Sequence, residues 1–339
     1  MHKRTRLEIP NMKLLLIMPR FFDYPKCISN ELISLGYDVD FYDDRPSTNP
    51  FIKAAIKLNK HLVHFQVSRY FKRLLTETRC KSYDYVLIIS GQSLSFSVNM
   101  IQKLRESQKN AYFVLYQWDS ISNFPSILKY IGLFDKAYSF DRKDARNYDN
   151  LNFLPLFYSN KYEKIGEAYD KEKKYDFCFI GTAHPKKYKF IKTMVNELKT
   201  VYPKQFLYFF FPSRFVYLFR KIFNKEFKFA KFKEFHFNPL NDTQLIDVYT
   251  STKCVLDCPQ KGQTGLTIRV IEALGAKKKI ITTNKDILNY DFYRRENIYV
   301  FSDKFDFDDV FFNSEYKDIP IEIYKKYSLK NWLLEILKV

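Results

Sequence analysis

Short apolar strands alternate with helical segments along the chain, and the alternation starts again near its middle. In the first half, apolar runs typical of strands cover residues 13–19, 37–43, 83–90, 111–119, 136–141 and 151–158. In the second half, they cover residues 175–181, 206–211, 253–258, 279–283 and 297–301. Strands separated by helices form parallel, doubly wound sheets. The sequence therefore predicts an α/β protein of two Rossmann-like domains.

The domain boundaries follow from length and local composition. A chain of 339 residues is long enough for two domains of ordinary size. A charged stretch with few apolar residues, SNKYEKIGEAYDKEKK, separates the two series of strands and is typical of a linker. We expect five segments: a flexible leader at 1–11, a first domain at 12–158, the linker at 159–174, a second domain at 175–320 and a C-terminal helical segment at 321–339.

Composition limits the classes of partner without choosing among them. A net charge of +18 attracts nucleic acid, anionic lipid or phosphorylated substrates. The five cysteines are odd in number and include no CxxC pair, which indicates reduced thiols in the cytoplasm. No run approaches 18 uncharged apolar residues, so the sequence predicts no membrane-spanning helix.

A polar loop before the predicted helix at 267–275 has the features of an anion site. It follows a predicted strand, and ligands of doubly wound sheets bind beyond the carboxyl ends of strands. The helix N-terminus offers unpaired N–H groups, and Gly262 and Gly265 allow close approach of the backbone. Arg269 and Glu272 share one helix face. They form either a surface salt bridge or an anion site in which Glu272 accepts hydrogen bonds from ligand hydroxyls.

Four stretches of the sequence resemble GT-B glycosyltransferases. The most specific is GLTIRVIEALGAKKKIITTN at 265–284, which is similar to their donor-binding segment, above all in bacterial enzymes of capsule and lipopolysaccharide biosynthesis. The other three are FVLYQWDS at 113–120, FDKAYSFDRKD at 134–144 and DFCFIGTAHPKKYKFI at 176–191. Together they span both halves of the chain in the order that the family has them.

The resemblance implies an arrangement of domains and substrates. The two domains would face each other across a cleft, and the final helix would cross back to the first domain. The nucleotide-sugar donor would lie against the second domain and a glycan acceptor against the first. Glu272 would bond the nucleotide ribose. Arg269 would face the diphosphate together with the loop residues Gln263, Thr264, Gly265, Leu266 and Thr267.

The resemblance also predicts that no metal ion or other cofactor is needed, because a helix dipole and basic side chains neutralise the leaving diphosphate. Two DxD strings, at 38–40 and 306–308, are interpreted as solvated charge, because the first alternates along a strand edge and the second lies in an acidic loop. Many retaining members carry two glutamates with seven residues between them. Thr264 stands at the first of these positions, so retention or inversion of the anomeric configuration stays open.

Residues at two further strand ends are candidates for the site. Gly181 and Thr182 end the first strand of the second domain, and His184 follows as either a donor-phosphate ligand or an ordinary loop hydrogen bonder. Asp119 follows a strand of the first domain and is the candidate base for the acceptor hydroxyl, with turn capping as the alternative. Asp141 is a second candidate base. We expect Asp119, His184 and Arg269 to be catalytic.

Two basic, aromatic stretches, at 51–81 and 214–233, suit helices lying on an anionic membrane. The alternative is a helix with one core face and one solvated basic face.

The sequence as a whole indicates a hexosyltransferase-type glycosyltransferase. We expect it to act on a glycan acceptor, lipid-linked, in surface polysaccharide synthesis, peripheral at the cytoplasmic face of the cell membrane. The alternatives are a sugar-nucleotide epimerase of similar fold, an inactive glycan-binding relative and a nucleic-acid-binding protein, for which no binding motif is present.

Overall fold

The computed structural model describes residues 12–46, 64–92, 94–168, 172–259 and 263–337. The expected leader, Gly262 and residues 51–63 of the first basic stretch lie outside the described residues. The chain divides into two compact units, residues 1–155 with 329–339, and residues 156–328.

The first unit is built on a six-stranded parallel sheet in the order β2-β1-β3-β4-β5-β6. Its strands are β1 (Lys13–Ile17), β2 (Asp38–Tyr42), β3 (Tyr85–Ser90), β4 (Tyr112–Gln117), β5 (Lys136–Ser139) and β6 (Asn152–Phe153). Its α-helices before residue 155 are α1 (Tyr24–Ser34), α2 (His64–Thr78), α3 (Val98–Ser107), α4 (Leu128–Ile131) and α5 (Arg142–Asn147). Strands β1, β3 and β4 are continuous apolar runs because parallel sheets are covered on both faces.

The described part of the first basic stretch is α2. Its apolar residues Val67, Phe71 and Leu74 are buried in the core of the first unit. Its basic residues Arg69 and Lys72 are exposed. Helix α2 therefore has one core face and one solvated basic face, which is the alternative considered for this stretch.

The second unit is built on another parallel sheet, in the order β12-β11-β10-β7-β8-β9. Its strands are β7 (Tyr175–Thr182), β8 (Gln205–Phe210), β9 (Phe235–His236), β10 (Thr252–Asp257), β11 (Lys279–Thr282) and β12 (Ile298–Val300). Its α-helices are α6 (Asn160–Glu167), α7 (Pro185–Leu198), α8 (Arg214–Phe223), α9 (Asp242–Thr250), α10 (Ile268–Gly275), α11 (Val310–Asn313) and α12 (Ile321–Lys326).

The stretch expected to be a linker, 159–174, belongs to the second unit over its described residues. Helix α6 occupies most of it and buries Tyr162 and Ile165, which are three positions apart and share a helix face. The ring of Tyr162 lies 5.3 Å from that of Tyr249 in α9. The boundary between the units falls instead between residues 155 and 156.

The last helix, α13 (Leu329–Leu337), groups with the first unit. The ring of Trp332 in this helix lies 4.7 Å from that of Tyr116 in β4. The C-terminal segment expected at 321–339 therefore contains two helices from different units, because α12 stays with the second unit.

The strand order of the second sheet creates a switch point between β7 and β10. From β7 the chain winds through β8 and β9 in one direction, and from β10 it winds through β11 and β12 in the other. Ligands of doubly wound sheets bind outside the carboxyl ends of strands at such a point. Thr182 ends β7 and Asp257 ends β10, so the loop before α10 begins at the switch point.

Candidate functional site

A buried carboxylate, Asp257, organises the switch point. Its side chain is fully buried, and its Oδ1 accepts hydrogen bonds from Arg269 Nη1 at 2.9 Å and from Thr267 Oγ1 at 2.6 Å. Its Oδ2 accepts a hydrogen bond from Thr282 Oγ1 at 3.1 Å. A buried charge needs such partners to offset its desolvation. Sequence reasoning missed Asp257, because the partners lie 10 to 25 positions away along the chain.

The guanidinium of Arg269 is held on three sides. Nε donates to the carbonyl oxygen of Ile180 at 2.9 Å, Nη1 pairs with Asp257, and the guanidinium carbon lies 4.7 Å from the ring centroid of Phe179. Burial disfavours the charged form, but the charge and hydrogen bond of Asp257 outweigh it together with Tyr249 and Glu272, so the pKa of Arg269 is raised above its ordinary value. Arg269 is therefore a fixed cation at the end of β7, with a buried ion pair that the sequence did not predict.

Glu272 lies one helical turn after Arg269 and is partly buried. Its charge contributes to the raised pKa of Arg269, after Asp257 and Tyr249. It also adds to the effect of burial in raising the pKa of Tyr249. Arg269 and Glu272 therefore belong to one electrostatic cluster, and the ribose contact of Glu272 stays a prediction.

Gly181 leaves room for this guanidinium. A Cβ at this position would collide with Arg269 Nη2 and lie 3.2 Å from the ring of Phe179. The space that the missing side chain of Gly181 leaves is therefore occupied by a side chain of the protein itself.

We expect Gly181→Ala to destabilise the second unit by about 1–3 kcal/mol, because overpacking forces the guanidinium away from Asp257. Thermal unfolding measures this loss, at roughly 2–4 °C per kcal/mol for a unit of this size. Gly132→Ala is the matched control, since no atom lies within 4 Å of a Cβ there. Equal melting temperatures for the Gly181→Ala variant and the parent would contradict the geometry.

The loop before α10 is held by a residue that sequence reasoning did not select, Asn284. Its Nδ2 donates to the carbonyl oxygens of Thr264 at 2.9 Å and of Gly265 at 3.2 Å. Gln263 Nε2 donates to the carbonyl of Gly265 at 2.9 Å, and Leu266 is buried. The loop conformation is therefore fixed by side-chain amides, and Leu266 contributes packing.

Thr267 precedes the first residue of α10 but its hydroxyl is directed to Asp257 and makes no cap on the helix. Thr267 therefore does not cap α10 through its side chain, and its expected place in the loop that faces the diphosphate stays a prediction. The first turn of α10 has no side-chain cap from Thr267, and the N–H of Val270 donates to the carbonyl oxygen of Thr267 at 3.1 Å. The N-terminus of a helix favours an anion.

A second cation, Lys187, lies near Arg269 in the first turn of α7. Burial and the charge of Arg269 lower the pKa of Lys187 to about 8, although Asp257 acts in the opposite direction. Within the described ranges, Lys187 has no ion pair or hydrogen-bond partner. A cation held in this way gains most from a negatively charged ligand.

His184 and Thr182 lie at the exposed margin of the same strand end. His184 is the residue before α7 and makes no side-chain cap. Partial burial, followed by the charges of Arg220 and Lys187, lowers the pKa of His184 below its ordinary value. The charges of Arg220 and Lys187 therefore disfavour protonation of His184, which indicates that its imidazole lies near these two cations.

In the first unit, Asp119 follows β4. Its Oδ1 accepts hydrogen bonds from the backbone N–H of Ser120 at 2.9 Å and from Asn123 Nδ2 at 2.7 Å. This oxygen therefore has the turn-capping role that was the alternative to general base. Asp141 is buried and caps α5 through the N–H of Lys143 at 3.0 Å, which makes it a structural residue.

An aromatic cluster that sequence reasoning also missed lies beside Asp119. The ring centroid of Trp118 lies 5.8 Å from that of Phe21 and 6.0 Å from that of Tyr24. Phe22 is 61% exposed and has a φ of 48°, a strained conformation for a bulky residue. Such strain is typical of functional sites.

Within the part of the chain that the structure describes, no group of three or more acidic, histidine or cysteine side chains could hold a metal ion. In the first DxD string, Asp40 accepts hydrogen bonds from Lys81 and Tyr83.

No protein-family model and no curated protein matches the sequence. Solved structures resemble it over both units. One is an α-glucosyltransferase in complex with UDP and a 13-mer DNA, with a TM-score of 0.53 and 13% identity, covering 97% of this chain and 90% of that one. Another is Anabaena Alr3699/HepE in complex with UDP and glucose, with a TM-score of 0.52 and 10% identity, covering 97% and 100%. The chain has the GT-B fold.

The prediction of two Rossmann-like domains of the GT-B type is confirmed by these neighbours. A UDP-GlcNAc 2-epimerase from Methanocaldococcus jannaschii is more distant, with a TM-score of 0.44, 10% identity and coverage of 97% and 92%. At such identities, the likeness to GT-B proteins establishes the fold and leaves the activity to be argued from the site.

Proposed function

We propose that the protein transfers a sugar from a nucleotide-sugar donor to a glycan acceptor. The observation that carries this proposal is the pair of cations Arg269 and Lys187 beside the N-terminus of α10, at the switch point of the second sheet. A diphosphate is the part of a nucleotide-sugar that such a site recognises. Both neighbours with the GT-B fold were solved with UDP.

The two cations would have different roles in binding the diphosphate. Arg269 donates from Nε to the carbonyl oxygen of Ile180 and from Nη1 to Asp257. Its guanidinium is therefore held in place and supplies a fixed positive charge. Lys187 has no such partner among the described residues and is placed to pair with the ligand. Charge fixed before the reaction stabilises the departing nucleotide without reorganisation. Arg269 therefore acts as a positioning and electrostatic residue. Lys187 makes the direct contact with the diphosphate that the sequence predicted for Arg269.

Donor affinity should decrease as pH rises, because Lys187 is charged below its pKa of about 8 and neutral above it. From about pH 7 to about pH 9, the donor dissociation constant should increase by roughly tenfold. Titration calorimetry across this range measures the effect.

Lys187→Arg is the matched variant for this experiment, since arginine stays charged throughout. Its affinity should change little with pH, and that of Lys187→Met should be low throughout. The same pH dependence in Lys187→Met as in the parent would show that another group titrates.

The acceptor binds to the first unit. Aromatic rings at Phe21 and Trp118 offer apolar faces to a sugar ring, and the carboxylate of Asp119 follows directly. We assign Asp119 to removal of the proton from the acceptor hydroxyl, because a positioned carboxylate serves as a general base. One of its oxygens is already held by Ser120 and Asn123, which fixes the orientation of the group.

The acceptor class that we propose is a lipid-linked glycan of capsule, lipopolysaccharide or exopolysaccharide synthesis, at the cytoplasmic face of the cell membrane. The resemblance of the donor-binding segment supports this, together with the basic, aromatic stretch at 214–233. We propose that no metal ion is needed, because cationic side chains and the N-terminus of α10 would neutralise the diphosphate.

A thermal-shift screen with UDP-, GDP-, dTDP- and CMP-sugars tests the proposal, because a bound donor raises the melting temperature. We expect one nucleotide class to stabilise the protein, and the matching sugar to be released or transferred. Isomerised nucleotide-sugar without transfer would indicate an epimerase instead. Stabilisation by none of the four classes would contradict the proposal.

A further inference from the structure

Helix α8 has one face in the core of the second unit and one face in solvent. Tyr217 is buried, with its ring centroid 5.7 Å from that of Phe211 and 5.1 Å from that of Phe235. Ser213 caps the helix by accepting a hydrogen bond from the N–H of Val216 at 3.2 Å. The helix is therefore anchored along one side and does not depend on a partner to form.

Exposed large apolar side chains are concentrated in α8 and the residues that follow it. Eighteen large apolar side chains are exposed over all the described residues, and seven of them fall within residues 215–232. Phe229 is 88% exposed. We call these seven side chains the aromatic face; they are Phe215, Leu218, Phe219, Ile222, Phe223, Phe229 and Phe232. Such an exposed cluster marks an interaction surface.

The charge around the aromatic face is positive. Residues 214–233 contain seven lysines and arginines and a single acidic residue, Glu226. Protein–protein interfaces are depleted in lysine, and a nucleic acid does not require seven apolar side chains. An anionic bilayer satisfies both features, since its acyl boundary accepts the apolar side chains and its headgroups attract the cations.

We propose that the aromatic face inserts into the headgroup region of an anionic membrane. Within the described residues no helix is long and apolar enough to cross a bilayer, and α8 has only ten residues, so the helix would lie in the plane of the surface. The membrane contact deepens the proposed function. It rests on that function only in so far as the membrane carries the lipid-linked acceptor. The charge of Arg220 in α8 lowers the pKa of His184, so α8 and the residue before α7 lie in the same part of the second unit.

Co-sedimentation with vesicles tests this proposal. The full chain should bind vesicles of phosphatidylcholine with phosphatidylglycerol more strongly than vesicles of phosphatidylcholine alone. A part of the binding should persist at high salt, because inserted apolar side chains are not screened. Replacing Phe219, Ile222 and Phe229 together with Ser should weaken partitioning by roughly tenfold or more, because each loses apolar burial.

The control is an equal triple change at exposed apolar residues elsewhere, Ile33, Leu288 and Ile321 to Ser, which should leave partitioning unchanged. A third variant, Lys225, Lys228 and Lys231 to Glu, should lose the preference for anionic vesicles. Donor binding is measured on the same proteins, so that failure of the surface is distinguished from failure of the glycosyltransferase proposal.

Three outcomes would overturn the membrane assignment. The first is equal vesicle binding by the aromatic-face variant and the parent. The second is absence of vesicle binding by the parent. The third is a parent dimer that the aromatic-face variant converts to monomer without any vesicle binding, which would make a second copy of the chain the occupant.

Discussion

Replacing Arg269 with Ala is expected to destabilise the second unit by about 3–5 kcal/mol, because it leaves the buried carboxylate of Asp257 without its ion-pair partner. Asp257 has no solvent exposure, and among the described residues its remaining side-chain donors are the hydroxyls of Thr267 and Thr282. The melting temperature of the unit should fall by on the order of 10 °C. Thermal unfolding followed by circular dichroism measures this change.

A double-mutant cycle separates the ion pair from simple loss of packing. Removing both charges, with Arg269→Leu and Asp257→Leu together, should cost less stability than Arg269→Leu alone, because no buried charge is left uncompensated. If Arg269→Ala melts like the parent and lowers only kcat, then Arg269 contacts the substrate directly and the buried pair contributes little.

Replacing Asp119 with Asn is expected to lower kcat by about 10²–10⁴-fold, since an amide cannot accept the acceptor proton. The side chain keeps its shape and can still accept hydrogen bonds from Ser120 and Asn123. Donor affinity and melting temperature should therefore remain near those of the parent. Steady-state transfer assays with a saturating donor measure the loss.

Two other aspartates of the first unit serve as controls. Asp149 is exposed, and Asp149→Asn should leave kcat unchanged. Asp141 is a buried helix cap, so Asp141→Asn should lower the melting temperature. Transfer by Asp119→Asn at the parent's rate would remove Asp119 from the mechanism and leave it as a turn cap.

The fold was accessible from the sequence because parallel strands are apolar on both faces and stand out along the chain. β1 and β3 are such runs, and helix α10 is followed at once by strand β11. Helix α6 was mistaken for a linker because its composition is charged. Its signal was present in Tyr162 and Ile165, whose spacing of three places both on one buried face.

Only part of the candidate site could be predicted from the sequence. Arg269 and Glu272 could be selected because they share a helix beside a glycine-containing loop. Asp257 and Asn284 act through contacts between distant parts of the chain. A single Asp or Asn has no local sequence pattern that predicts such contacts. Gly181 was selected from its place at a strand end, but the sequence did not show that a guanidinium 88 positions later in the chain requires a glycine there.

The central claim is that the switch point of the second sheet binds a nucleotide-sugar diphosphate, and calorimetric titration of variants with the nucleotide selected by the thermal-shift screen tests it most directly. Lys187→Met and Glu272→Gln each remove one proposed contact, to the diphosphate and to the ribose. Charge-assisted hydrogen bonds contribute about 1.5–3 kcal/mol each.

Lys189→Met and Glu322→Gln change exposed residues of the same unit and serve as controls. We expect Lys187→Met and Glu272→Gln each to weaken binding by roughly tenfold or more while both controls bind like the parent. Unchanged affinity in both site variants, with a parent that binds the nucleotide, would contradict the account and place the donor elsewhere on the protein.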